Sequence, residues 1–233
     1  MRSSLERLDY FIKCLKDKGI YISVDMTTYR RFKPGDGVTD AHLLHEGSRL
    51  YALYDPTMIE LQKEFCQKFW NHYNPYTGLK HKDDPVFCMC VICNENDTMI
   101  NHNARRWYNL IPHYDNMLRD MFNDWLKEKG IEYDAYGCEL FTTDAPMIQF
   151  RVELMAKYCR TMYDYLRSLG VKIPAPMPPL PVRPKAPWQA PAPTASTASP
   201  SLSPNGKCPS PTATGLKPLF GSLLLPVCKT GPV

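Results

Sequence analysis

A carboxylic acid and a carboxamide stand side by side where an apolar run ends. Glu95 and Asn94 follow residues 86–93, which are all apolar. Such a run is typical of a covered parallel strand, and reacting groups of α/β proteins lie just beyond the carboxyl ends of these strands. Partial desolvation there raises the pKa of a carboxyl group toward the range of a general acid. The pattern predicts Glu95 as a general acid and Asn94 as a hydrogen-bond donor to a substrate hydroxyl, with a polar helix-capping loop as the alternative.

Three cysteines in the same run suggest a metal site, but their spacing argues against it. Cys88, Cys90 and Cys93 have the composition of a zinc-ligand cluster. Side chains alternate between the faces of a strand, so Cys93 points away from the other two. We therefore predict buried small hydrophobic residues and no metal. His42 and His45 lie in a polar loop, and we expect them to be solvated.

The first half of the chain predicts a helix, a strand and a second helix. Apolar residues recur at helical spacing over 5–15, and Gly19 ends the helix. Residues 20–26 predict a strand that is mostly apolar on both faces. Asp25 within it either hydrogen-bonds and positions a side chain of the site or is a satisfied buried acid. Asp55 and Pro56 begin the next helix as N-cap and first residue. Its predicted buried stripe is Leu61, Phe65 and Phe69.

The second half continues this alternation. A helical stripe over 117–126 ends at Gly130, and a long helix over 147–169 ends at Gly170. Residues 171–173 predict the start of a third strand, after the strands at 20–26 and 86–93. Helices that alternate with covered strands indicate an α/β fold with right-handed crossovers.

Charge and composition exclude several classes of function. The chain has 233 residues and a net charge of +4, but residues 174–233 hold five basic residues and no acid. The remainder has 23 basic and 24 acidic residues, which gives no bulk electrostatic reason to bind nucleic acid. No apolar stretch is long enough to cross a membrane. The N-terminal residues lack a signal sequence, which predicts a cytoplasmic chain unless the natural start lies upstream.

Proline divides the chain into two regions. Residues 174–233 contain 16 of the 22 prolines, and this composition predicts a disordered tail after a folded domain at 1–173. Residues 179–184 have a PxxP spacing that a polyproline-binding partner could recognise, although such spacing arises readily by composition. Proline interrupts the third predicted strand, so a shifted reading frame explains the junction better than a natural linker does.

Several blocks of the chain resemble cellulase-like glycoside hydrolases of clan A, close to family 5. They occur in the order of the family, at residues 7–26, 54–64, 74–78, 83–85, 94–96 and 147–174. The resemblance implies an α/β fold that is part of a (β/α)₈ TIM barrel, from the second helix to the start of the fifth strand. It also implies a carbohydrate substrate and no cofactor.

The resemblance implies roles for individual residues. Glu95 would be the acid/base of a retaining glycosidase, and Asn94 would orient the sugar or the nucleophile. Arg30 occupies the place of an active-site arginine, whereas Thr27 replaces a family histidine. Tyr29 and Trp107, with Phe32 and Tyr108, flank the strand ends and could form sugar platforms or pack ordinarily.

One family residue has no counterpart in the matched blocks. The nucleophilic glutamate of the family ends the seventh strand, and the blocks stop at the fifth. We therefore expect the chain to be inactive alone. The alternative function is a non-catalytic interaction protein that recruits a partner through its proline-rich tail.

Overall fold

The computed structural model describes residues 4–26, 30–44, 48–94, 98, 111–140 and 142–176. These ranges form a mixed α/β structure with more helix than strand. The helices are α1 (Ser4–Asp17), α2 (Ser48–Tyr51), α3 (Pro56–Asn71), α4 (Pro112–Lys129) and α5 (Ala145–Ser168). The strands are β1 (Ile22–Asp25), β2 (Tyr73–Asn74), β3 (Leu79–Lys80) and β4 (Phe87–Val91).

Strands β1 and β4 are parallel neighbours. The pair is extended at both ends, where the Ile22 amide donates to the Val86 carbonyl at 2.8 Å and the Met26 amide to the Val91 carbonyl at 3.0 Å. Parallel strands need a crossover connection, and α3 lies between them in the chain. Both carboxyl ends therefore lie at one edge of the sheet, as the alternating pattern predicts.

The third predicted strand is present only as an extended segment beside β4. Residues 171–173 have no strand assignment, but the Cys90 amide donates to the Pro174 carbonyl at 2.9 Å. Since neighbouring amides of a strand point to opposite sides, this segment lies on the edge of β4 away from β1. Ala175 is also buried. Residues 174 and 175 thus pack with the folded part, while the domain boundary at 173/174 remains a prediction.

The prediction that β1 is covered on both faces is wrong. Ser23 and Asp25 are exposed, and the preceding Tyr21 is 70% exposed. Ile22 and Val24 on the opposite face pack against the core. The strand therefore buries one face only within the described residues, which its apolar composition does not reveal.

Strand β4 contains an irregularity that changes which side chains are buried. Ile22 pairs with Phe87 but Ser23 pairs with Met89, so Cys88 has no partner in the register. An extra residue of this kind is a β-bulge, and it disturbs the alternation of side chains. As a result Phe87 and Cys90 are both buried, although they are three positions apart.

The predicted helix ends are confirmed. Gly19, Gly130 and Gly170 each follow a helix with φ between +66° and +85°, a conformation that favours glycine. At the start of α3, the Asp55 side chain accepts from the Met58 amide at 2.8 Å, and Pro56 is the first helical residue.

The predicted buried stripe of α3 is wrong for Phe65. Leu61 and Phe69 are partly buried against the core, and the fully buried face lies one position further along the helix. The buried residues are Met58, Gln62, Cys66 and Trp70, whereas Phe65 is 44% exposed. Gln62 can be buried because its amide is satisfied: Nε2 donates to the Ala52 carbonyl at 2.7 Å, and Oε1 accepts from the Tyr158 hydroxyl at 2.6 Å. A polar residue with partners thus occupies the centre of the buried face.

The core consists of two clusters that α3 and α5 both join. One cluster surrounds Tyr114, Phe122 and Phe150, and includes the predicted apolar face of α4. The other surrounds Trp70 and Phe87, and it covers the β1–β4 pair. No helix of the described residues is long and apolar enough to span a bilayer.

Candidate functional site

The carboxyl edge of the β1–β4 pair brings two predicted site segments together in space. The chain leaves β1 at Asp25 and β4 at Val91, and the hydrogen bond from the Met26 amide to the Val91 carbonyl joins the two exits. Arg30 follows the first exit and Asn94 the second. Side chains on both segments can therefore reach a ligand at this edge.

Arg30 is the predicted substrate-binding residue that the structure describes best. Its Nη1 donates to the Leu61 carbonyl of α3 at 2.8 Å, and its guanidinium carbon lies 5.3 Å from the centroid of the Phe32 ring. The Asp36 carboxylate is 4.0 Å from Nη2. The side chain is 32% exposed, so the charge is oriented by its neighbours and still accessible.

The other predicted site residues differ in what the structure shows of them. Asn94 is exposed and lies three residues beyond the end of β4. Glu95, Tyr29 and Trp107 lie outside the described residues, so their roles remain predictions. Phe32 is only 5% exposed and belongs to the core, which excludes the sugar platform for this residue.

A residue on α5 that the sequence did not predict binds Thr98, which comes three positions after Glu95 in the chain. Arg151 is 2% exposed, and its Nε donates to the Thr98 carbonyl at 2.7 Å. In return the Thr98 hydroxyl donates to the Arg151 carbonyl at 2.7 Å. The sequence contains no signal for this contact, because α5 carries several other charged residues and the burial of Arg151 depends on its distant partner Thr98.

The cysteine prediction is confirmed for Cys90 and wrong for Cys88. Cys90 is fully buried, and burial raises its pKa to about 12. Cys88 is exposed at the bulge. Cys93 is partly buried, and these three thiols do not form a ligand group within the described residues.

Two further predictions can be compared with the structure. Asp25 is exposed, so it is not a buried acid. His42 is exposed, as expected for a solvated loop residue, and His45 lies outside the described residues.

A group of possible metal ligands was not predicted. Asp9, His72 and His81 place a carboxylate oxygen and two imidazole nitrogens within 4.8 Å of one another. Desolvation lowers the pKa of His81, and a like charge on the neighbouring His72 would lower it further. His81 is therefore neutral at pH 7, and a neutral imidazole has a lone pair for a metal or a hydrogen-bond donor.

The solved structures that resemble this chain include two endo-mannanases. No family model matches the chain, and no curated protein matches its sequence. An endo-β-1,4-mannanase from Thermotoga petrophila is 14% identical with a TM-score of 0.34, covering 72% of this chain and 44% of the mannanase. A hyperthermostable endo-1,4-β-D-mannanase from T. petrophila RKU-1, with maltose and glycerol, has the same identity and TM-score and covers 76% and 61%. The chain thus spans about half the length of these glycoside hydrolases.

Proposed function

We propose that this chain carries the acid/base half of a retaining glycoside hydrolase site on part of a (β/α)₈ barrel. The substrate would be a β-linked polysaccharide or glycoside. The observation that carries the proposal is the parallel pairing of β1 with β4, because it aligns the exits that lead to Arg30 and to Asn94-Glu95. The resemblance of the sequence blocks supplies the chemical roles.

The proposed reaction needs two carboxyl groups. The Glu95 carboxyl protonates the glycosidic oxygen while a second carboxylate attacks the anomeric carbon, and the bond from that carbon to the leaving oxygen breaks. Glu95, now a carboxylate, then takes a proton from the water that releases the sugar. Asn94 and Arg30 would hydrogen-bond the sugar.

The second carboxylate is not assigned to any residue of this chain. In the family that the sequence resembles it ends the seventh strand, which the matched blocks do not include. We therefore expect no hydrolysis by the chain alone. This expectation makes the role of Glu95 testable with an external nucleophile.

The experiment supplies azide in place of the missing carboxylate. With aryl β-glucosides and β-mannosides, azide should attack the anomeric carbon and release the phenol, leaving an α-glycosyl azide. Glu95→Gln should lower the rate by about 10²-fold or more for phenyl glycosides, because general acids contribute about 10² to 10⁴. Dinitrophenyl glycosides, whose leaving group needs no proton, should be affected far less.

The matched control is Asn116→Ala, at an exposed position of α4, which should leave azide-dependent release unchanged. Azide-dependent release that Glu95→Gln lowers equally for both leaving groups would refute the acid role. A complete lack of azide-dependent release from any of these glycosides would count against the proposed site as a whole.

A further inference from the structure

Asp9, His72 and His81 form a cluster away from the carboxyl edge of the sheet, which we call the Asp9 cluster. Asp9 lies on the inner side of α1 and is 3% exposed. His72 immediately follows α3, and His81 immediately follows β3. The three residues come from separate elements, and neither the predicted acid/base nor Arg30 belongs to the cluster.

The β2–β3 hairpin brings the two histidines together. Tyr73 pairs with Lys80 in the antiparallel register, and the His81 amide donates to the His72 carbonyl at 3.0 Å just outside this pair. The imidazole centroids are consequently 4.9 Å apart. A two-residue strand pair with a short turn therefore places both rings beside each other.

Asn74 connects this hairpin to α1. Its Oδ1 accepts from the Tyr76 amide at 2.9 Å and the Thr77 amide at 3.3 Å, which fixes the turn. Its Nδ2 donates to the Asp9 carbonyl at 3.0 Å, and Asn74 is fully buried. The position of the Asp9 carboxylate relative to the two imidazoles is thus set by a satisfied buried side chain.

The separations in the cluster suit a transition-metal ion. The Asp9 Oδ1 atom is 2.8 Å from His72 Nε2 and 3.7 Å from His81 Nε2. Tetrahedral zinc bonds of about 2.1 Å place the ligand atoms about 3.4 Å apart. The two separations fall on either side of this spacing, so small side-chain rotations would reach it. Two imidazoles and a carboxylate are also a ligand set that zinc uses.

His81 gives an independent reason to expect a ligand. The residue is 1% exposed, and among the described residues neither of its ring nitrogens has a hydrogen-bond partner at normal distance and angle, although the backbone of Phe69 interacts with the ring and partly offsets the lowering of its pKa by desolvation. Its ring packs between Phe69 and Phe87, with centroid distances of 4.6 and 5.2 Å. A buried nitrogen without a partner is costly. Coordination through Nε2 would satisfy one of the two nitrogens.

An ion can reach the cluster from the side of His72. The His72 side chain is 22% exposed, whereas those of Asp9 and His81 are 4% and 1% exposed. His72 Nε2 contacts both carboxylate oxygens of Asp9, at 2.8 and 3.0 Å. For this nitrogen to bind a metal, it must carry no hydrogen, so that Nδ1 alone carries one.

We propose that Asp9, His72 and His81 bind one divalent transition-metal ion of the zinc type, with water as the fourth ligand on the exposed side. The ion would fasten the β2–β3 hairpin to α1 and so act structurally. This proposal does not depend on the proposed glycosidase function, because the residues and the measurement are different.

The test is a titration of the full chain with Zn²⁺ and Co²⁺ at pH 7. We expect one ion per chain, and a Co²⁺ spectrum without a thiolate charge-transfer band. His81→Gln and His72→Gln should each weaken binding more than about 10-fold, the lower bound seen when even an indirect partner of a metal ligand is removed. The matched controls His42→Ala and His113→Ala change exposed histidines and should leave the affinity unchanged.

A measurement on the unaltered chain tests the proposal even if the variants fail to fold. Zn²⁺ should shift the imidazole ¹⁵N resonances of His72 and His81 in the unaltered chain, while those of His42 and His113 stay in place. Failure of the chain to bind Zn²⁺ would overturn the proposal. Binding that persists in His81→Gln, or that produces a thiolate band with Co²⁺, would overturn it equally.

Discussion

Arg151 of α5 binds the backbone carbonyl of Thr98, and Arg151→Met tests this contact. Methionine retains much of the apolar stem and removes the guanidinium, whose Nε and Nη2 both donate to the Thr98 carbonyl. Thr98 follows Glu95 by three residues. The substitution should therefore remove the side-chain hydrogen bonds that hold Thr98 and lower the stability of the fold.

The contacts set the expected magnitude. A hydrogen bond to a charged group contributes about 1.5–3 kcal/mol. Nε and Nη2 share a single carbonyl, so together they stabilise the fold by less than two separate hydrogen bonds would. Removing the charge also removes its desolvation cost, which offsets part of the lost stability. We expect the free energy of unfolding to fall by about 2 kcal/mol. With a urea m-value of about 2 kcal/mol/M, the midpoint falls by about 1 M.

Urea unfolding followed by circular dichroism measures this effect. Arg160→Gln is the matched control, since Arg160 lies on the same helix and is exposed; its effect should stay within about 0.5 kcal/mol. Without urea, where the variant and the unaltered chain are both folded, Arg151→Met should also lower the rate of azide-dependent phenol release. Equal unfolding midpoints for Arg151→Met and Arg160→Gln would refute the reasoning.

Two further predictions concern other buried groups. Burial alone would raise the pKa of Asp84, but Lys16, 2.9 Å away, and the Val86 amide outweigh it and lower this pKa below 3.8. Asp84→Asn should therefore lower the free energy of unfolding by about 1 kcal/mol at neutral pH. In urea unfolding, this difference from the unaltered protein should disappear as the pH falls below 3.8. Iodoacetamide at pH 8 should label Cys88 and spare Cys90, because Cys88 is exposed and burial raises the Cys90 pKa to about 12; peptide mapping that finds equal labelling would contradict this.

The sequence correctly predicted the features that depend only on neighbouring residues. The α3 N-cap and the glycines that end the helices depend on a few neighbouring residues, and both agree with the structure. The parallel β1–β4 pair also follows from the order of helix and strand, because a covered crossover leaves few topologies. Asn94 lies just beyond the end of β4, as its position after the apolar run implies.

Features that depend on distant partners could not be predicted in this way. Gln62 replaces an apolar residue on the buried face of α3 because Tyr158 and the Ala52 carbonyl satisfy its amide. Sequence periodicity gives no sign of those partners, and it therefore favoured Leu61, Phe65 and Phe69. The bulge at Cys88 had the same effect on β4, since one unpaired residue changes the burial of its neighbours.

The Asp9 cluster shows why the sequence alone does not indicate this group of possible metal ligands. Cysteine spacing within one strand is visible in the sequence, but alternation separates those thiols. Asp9 and His72 are 63 positions apart, and only the packing of α1 against the hairpin brings them together. The satisfied amide of Asn74 supports that packing, and within the described residues the ring nitrogens of His81 are buried without a close hydrogen bond. The cysteine pattern was therefore correctly set aside, while the proposed ligand set comes from residues that form no motif in the sequence.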